Sequence, residues 1–108
     1  MTIHTSQTLE EIIVKVEGDL DLTSVPSFAS VTAKALEARE GRRLVVDLRR
    51  AGYVDSAGLE QLLVAIRRLA QQGEKLKVFV LPGSQPQTVL SVTGFGSIID
   101  VEPAAAEE

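Results

Sequence analysis

Apolar and polar positions first alternate between Ile12 and Glu17, where Ile12, Val14 and Val16 are separated by Ile13, Lys15 and Glu17. A period of two sends successive side chains to opposite faces, so the segment reads as a strand with one more apolar face. Ile3 to Gln7 precedes it as a short edge strand. Leu44 to Leu48 (LVVDL) is a nearly unbroken apolar run, the pattern of a strand covered on both faces. Leu76 to Leu81 (LKVFVL) is the next buried strand.

Between the strands the period becomes helical. Gly18 to Thr23 forms a loop, Ser24 stands at an N-cap position, and Pro26 falls in a first turn, where its missing N–H does no harm. That helix runs to about Arg39, is predicted to bury Phe28, Val31 and Ala35, and is ended by Gly41. Ala57 to Gln72 carries the clearest pattern: Leu59, Leu62, Leu63, Ile66, Leu69 and Ala70 fall on one face, and Gly73 closes the helix. Pro82 and Gly83 break the chain. Gln85 to Thr93 reads as a short helix with Pro86 in its first turn and Gly94 at its end. Ile98, Ile99 and Val101 make a last short strand or edge segment, and Pro103 to Glu108 (PAAAEE) reads as a disordered, frayed tail.

Two successive β–α–β crossovers imply parallel neighbouring strands joined by right-handed connections. The expected fold class is therefore α/β: one domain over residues 1–102, with a mixed sheet of four or five strands and helices mainly on one face. Leu63 is expected in its core.

The 108 residues are one domain's worth, and 44% hydrophobic with 24% charged residues is ordinary for a globular domain. The lack of cysteine removes disulfides, thiolate nucleophiles and zinc–thiolate sites together. No apolar run reaches membrane-spanning length and no N-terminal signal pattern is present, so no membrane insertion is expected and the cytoplasm is the expected location. A net charge of −4, with one tyrosine and three phenylalanines, disfavours nucleic acid as a ligand.

Asp55 and Ser56 fall between the C-terminal end of a strand and the N-terminus of a helix. Open α/β sheets bind ligands and partners along that edge. Either residue suits the N-cap. If Ser56 caps, its hydroxyl belongs to the helix. If Asp55 caps, the Ser56 hydroxyl is free to point outward. A hydrolase-type serine nucleophile is disfavoured, because the only histidine, His4, lies near the chain end.

Two other features compete for attention. Asp19-Leu20-Asp21-Leu22-Thr23 fits the aspartate-x-aspartate-x-threonine signature of haloacid-dehalogenase-like phosphatases, in which one carboxylate attacks phosphorus and magnesium bridges the pair. That signature should follow a continuous buried strand, which Lys15, Glu17 and Gly18 interrupt here. The plainer reading is a polar loop in which Asp21 or Thr23 helps to cap the first helix. On the second helix, Ala57, Gln61, Val64 and Arg68 are predicted to point away from the core, as a partner surface or merely as scattered exposed residues.

Three local motifs and the order of elements resemble the STAS domain, in particular the free-standing anti-sigma factor antagonists. Gly18-Asp19-Leu20-Asp21 resembles the family's turn before the first helix. Val46-Asp47-Leu48 followed by Tyr53-Val54-Asp55-Ser56-Ala57-Gly58-Leu59 resembles its strand and phosphorylation loop. Val89-Leu90-Ser91-Val92-Thr93-Gly94-Phe95 resembles its short helix ending in glycine, although Phe95 replaces a more usual leucine. Ala57 occupies a position that is often serine or threonine, which leaves Ser56 as the motif's one hydroxyl.

The resemblance implies a binding module without catalytic residues, metal or cofactor. Unphosphorylated, it would bind an anti-sigma factor that is also a serine kinase, releasing a sigma factor. Phosphorylation of Ser56 would end binding, and a serine phosphatase would restore it. The implied partner surface comprises Asp21, Ser24, Asp55, Ala57, Gln61, Val64 and Arg68. The runner-up within the family is an accessory subunit on the ATPase of a lipid-transporting ABC system.

Overall fold

Strand order in the sheet follows chain order, and the computed structural model describes residues 1–106. The elements are β1 (Thr2–Gln7), β2 (Glu11–Glu17), α1 (Val25–Ala38), β3 (Arg43–Arg50), α2 (Ser56–Ala70), β4 (Lys77–Val80), α3 (Gln85–Val92), a 3-10 turn (Phe95–Ser97) and β5 (Asp100–Pro103). β1 runs antiparallel to β2, with Thr5 opposite Val14. The pairs β2–β3, β3–β4 and β4–β5 are parallel. Crossovers of one hand through a sheet in sequence order place every connecting helix on the same side.

That side holds the core. Ile12, Val14 and Val16 of β2, Leu44, Val46 and Leu48 of β3, and Val78 and Val80 of β4 pack with Phe28, Leu62, Ile66, Leu69 and Leu90 of the helices. The opposite face carries no helix, yet Val45 and Asp47 are buried on it. Long charged side chains do the covering. Arg49 donates to both carboxylate oxygens of Asp47, at 3.0 and 2.8 Å, and its guanidinium lies 4.8 Å from the Phe79 ring centre. The Lys77 ammonium lies 4.9 Å from the same ring and 3.5 Å from Glu102. The LVVDL run is thus covered on both faces, and its aspartate is tolerated because Arg49 pairs with it.

Three expectations need correction. In α1 the buried residues are Phe28, Thr32 and Ala35, with Val31 only partly buried. In α2 they are Gly58, Leu62, Ala65, Ile66 and Leu69. Leu59 and Leu63 flank the core as partly buried residues and Ala70 is exposed. The buried stripe of the helix is thus turned toward its small residues Gly58 and Ala65. A Cβ on Gly58 would stand 2.6 Å from the Leu20 carbonyl oxygen. At the C-terminus, Ile98 is exposed, Pro103 still belongs to β5, and the Ala104 N–H donates to the Val80 carbonyl at 2.9 Å. The Ala105 carbonyl accepts from Arg49 at 2.9 Å, while Glu107 and Glu108 of the expected tail lie outside the described residues.

Candidate functional site

Two loops leave the C-terminal ends of β2 and β3 and are joined by backbone bonds. The Gly18 N–H donates to the Arg50 carbonyl at 3.1 Å and the Leu20 N–H to the Tyr53 carbonyl at 2.8 Å. The Asp55 N–H donates back to the Leu20 carbonyl at 3.2 Å, so Leu20 and Val54 form one isolated parallel bridge beyond the strands. Gly58 lets α2 begin directly over that bridge. The turn containing Asp21 and the serine loop therefore share one rim.

Asp55 takes the cap of α2. Its backbone is extended and its Oδ1 accepts from the Gly58 N–H at 3.0 Å. Ser56 is the first helical residue and is exposed. Of the two capping arrangements open to this sequence, the fold adopts the one that leaves the serine hydroxyl outside the helix. The second carboxylate oxygen of Asp55 reaches the neighbouring loop, where Oδ2 accepts from the Leu22 N–H at 3.2 Å.

The turn from Asp19 to Ser24 is held by its own side chains. Asp21 Oδ1 accepts from the Thr23 hydroxyl at 2.7 Å and from the Thr23 and Ser24 N–H groups at 3.0 and 3.2 Å. The Thr23 hydroxyl bond leads in holding the Asp21 carboxyl below the ordinary aspartate pKa, against a smaller opposing effect of desolvation. These bonds all lie in the turn before α1 and reach none of the helix's own N–H groups, so Asp21 braces the turn and does not cap the helix. Ser24 sits at the N-cap position of α1 but makes no side-chain cap. Its hydroxyl accepts from the Asp21 N–H at 2.9 Å and donates to the Asp19 carbonyl at 2.8 Å. Being buried, Ser24 fixes the turn rather than offering surface.

Along α2, Val64 is 48% exposed and Arg68 is exposed, whereas Ala57 and Gln61 are half-buried. The exposed residues of α2 are Ser56, Glu60, Val64, Arg67, Arg68 and Ala70. Among the described residues no group of three or more histidine, cysteine or acidic side chains is placed to hold a metal ion. No helix among them is long and apolar enough to cross a membrane.

Two site residues escape a reading of the sequence. Gln85, the first residue of α3, accepts from the Val54 N–H at 2.8 Å and donates to the Val54 carbonyl at 2.9 Å. Nothing local marks that glutamine. Leu22 is 75% exposed beside Asp55, while Leu20, two residues earlier, is fully buried. The alternation from Asp19 to Leu22 marks two leucines on one face and gives no hint that a turn separates their fates.

A family model described as "Mlab, STAS domain" matches residues 3–100. The chain is 26% identical over 98 residues to an anti-sigma-B factor antagonist of Listeria monocytogenes, covering 91% of this chain and 84% of that protein. In fold it is similar to an anti-sigma factor antagonist from Mycobacterium paratuberculosis, with a TM-score of 0.86, 19% identity and coverage of 95% and 86% of the two chains. It is also similar to the phosphorylated form of the Bacillus cell fate determinant SpoIIAA, with a TM-score of 0.70, 18% identity and coverage of 94% and 91%. A five-stranded mixed sheet with its crossover helices on one side, the paired loops at its rim and a family match across residues 3–100 agree: the chain belongs to the STAS domain family.

Proposed function

We propose that this protein is an anti-sigma factor antagonist that works by partner switching. Its unphosphorylated form binds an anti-sigma factor that is also a serine kinase, and the sigma factor is released. The kinase phosphorylates Ser56, binding ends, and a serine phosphatase restores the active form. The carrying observation is that Asp55 occupies the cap of α2, which leaves Ser56 exposed at the first helical position. The similarity to anti-sigma-B factor antagonists supports the reading, as does the likeness in fold to a protein solved in a phosphorylated form.

The physical chemistry suits a switch. Phosphoserine adds about −1.5 to −2 charges at neutral pH. The α2 dipole tolerates that charge at its N-terminus, so the fold survives. In a desolvated interface the same charge is costly. The half-buried Asp55 beside it raises the local negative charge further. The partner surface is then Ser56 with Asp21, Asp55, Ala57, Gln61, Val64 and Arg68, the turn being braced by Ser24. On this reading the chain is a binding module, not an enzyme, uses no cofactor, and works in the cytoplasm where its kinase finds ATP.

The test is to incubate the chain with a serine-kinase anti-sigma factor of its own organism and magnesium ATP. Mass spectrometry should locate one phosphate, on Ser56. Calorimetry should then show binding by the unmodified form and its loss in the phosphorylated form. Equal affinity of the two forms refutes the switch. Co-purification with a permease and its ATPase, and with no kinase, would instead support the accessory-subunit reading.

A further inference from the structure

We infer that Leu22 is an apolar anchor of the partner surface around Ser56, inserted into an apolar pocket of the anti-sigma factor and held ready by Asp55. The inference rests on the proposed function and adds the residue that makes the contact. Exposure alone does not carry it, because Leu9 is 94% exposed in the β1–β2 turn and single exposed leucines are common. What sets Leu22 apart is how its backbone is fixed and to what.

The Leu22 N–H donates to Asp55 Oδ2, and the other oxygen of that carboxylate caps the helix that begins with Ser56. The residues on either side of Leu22 are equally constrained. The Asp21 N–H donates to the Ser24 hydroxyl and Thr23 donates twice to Asp21 Oδ1. A leucine at 75% exposure is therefore displayed on an ordered turn, one hydrogen bond from the residue that adjoins the serine. Little further backbone ordering remains for binding to impose, the condition under which a single side chain contributes most to affinity. Tyr53, 48% exposed on the neighbouring loop, extends the apolar character of the same rim. Asp55 is the positioning residue: it ties the anchor and the regulated serine into one unit, so a partner that reads the first lies over the second.

The experiment places photo-reactive benzoylphenylalanine at position 22, at position 60 on the outer face of α2, or at position 9 as control, in the full chain in its native cell. Crosslinked proteins are identified by mass spectrometry. The expected result is the same serine-kinase anti-sigma factor at positions 22 and 60, and not at 9. With that kinase purified, Leu22→Ser should weaken binding about tenfold or more, the loss expected from removing a buried leucine contact. Leu22→Met should restore most of it, and Leu9→Ser should change nothing. Thermal melts of all variants should match the wild type, which separates a contact from a folding role. The kinase crosslinking at 60 but not at 22, or unchanged affinity in Leu22→Ser, overturns the anchor and leaves the proposed function standing. No kinase at either position removes the proposed function and the anchor with it.

Discussion

The side-chain amide of Gln85 pairs both ways with the backbone of Val54, accepting from its N–H at 2.8 Å and donating to its carbonyl at 2.9 Å. It stands in for a neighbouring strand at a point where β3 has ended and β4 is no longer alongside. On its other side Val54 bridges to Leu20. The residue two positions before Ser56 is thus held from both flanks.

Gln85→Ala should therefore loosen the serine loop from a distance. It leaves a part-buried N–H and carbonyl without their partner, a loss of about 1–3 kcal/mol. Urea denaturation should register that cost. Hydrogen exchange should speed up at the Val54 amide while the amides of β2 are slowed as in the wild type.

The division of labour between Asp55 and Ser56 predicts opposite outcomes for adjacent substitutions. Asp55→Ala removes a helix cap and should cost about 0.5–2 kcal/mol. Ser56→Ala removes an exposed hydroxyl outside the helix and should stay within about 0.5 kcal/mol of the wild type. Ser56→Asp should fold as well, since a carboxylate in the first turn gains about 0.3–1 kcal/mol from the dipole, which offsets repulsion from Asp55. Denaturation of the three variants in parallel checks this, and an equal loss in Ser56→Ala and Asp55→Ala would contradict the capping described.

Gly58 is fixed by crowding, not by its dihedral angles. A methyl there would meet the Leu20 carbonyl oxygen at 2.6 Å and the Leu20 and Val54 side chains at 3.0 Å. Alanine favours a helix over glycine by about 1 kcal/mol, but overpacking costs about 1–3 kcal/mol and the nearest atom is backbone. Gly58→Ala should lower the melting temperature and shift the amide resonances of both loops in a nitrogen–proton correlation spectrum. A rise in melting temperature would count against this close approach.

Burial raises the Asp47 carboxyl pKa, but the Arg49 hydrogen bonds and charge more than reverse this and hold it below the ordinary aspartate value of 3.8. A folded-state pKa below the unfolded one contributes stability at pH above 3.8, fully present near neutrality. That contribution is lost as pH falls from 3.8 through the lower folded value, where the unfolded chain takes up the proton first. Melting temperature measured from about pH 6 downward should fall steeply only below that point. Asp47→Asn should flatten this acid limb.

On the proposed function, Val64→Arg should weaken binding to the anti-sigma factor without unfolding the domain, because Val64 is 48% exposed. Leu62→Ala should instead cost about 2–5 kcal/mol, and more than Leu63→Ala, since Leu62 is fully buried and Leu63 is not. Chemical denaturation and calorimetry together separate the two kinds of loss.

Much of this protein is legible in the chain itself. The period-two alternation at Ile12–Glu17, the apolar run at Leu44–Leu48 broken only by Asp47, and the helical spacing after Ser56 are local signals, set by side-chain direction within one element. They yield the elements, their order and hence a sheet with its helices on one side. Gly and Pro punctuation places Asp55 and Ser56 at the sheet's carboxyl rim.

What needed the tertiary structure were the choices between locally equivalent states. Asp55 and Ser56 are both good caps, and the helix takes Asp55, whose second oxygen can also serve the Leu22 N–H on the neighbouring loop. Leu20 and Leu22 are identical residues two apart, and the bridge to Val54 buries the first and leaves the second outside. The buried stripe of α2 takes in Gly58, at a close approach that hydrophobic spacing counts as nothing. Gln85 became structural through Val54, a partner 31 residues away whose position only the assembled fold supplies. Propensity and periodicity are properties of a segment. Burial, and the satisfaction of a particular polar group, belong to whatever the rest of the chain brings beside it.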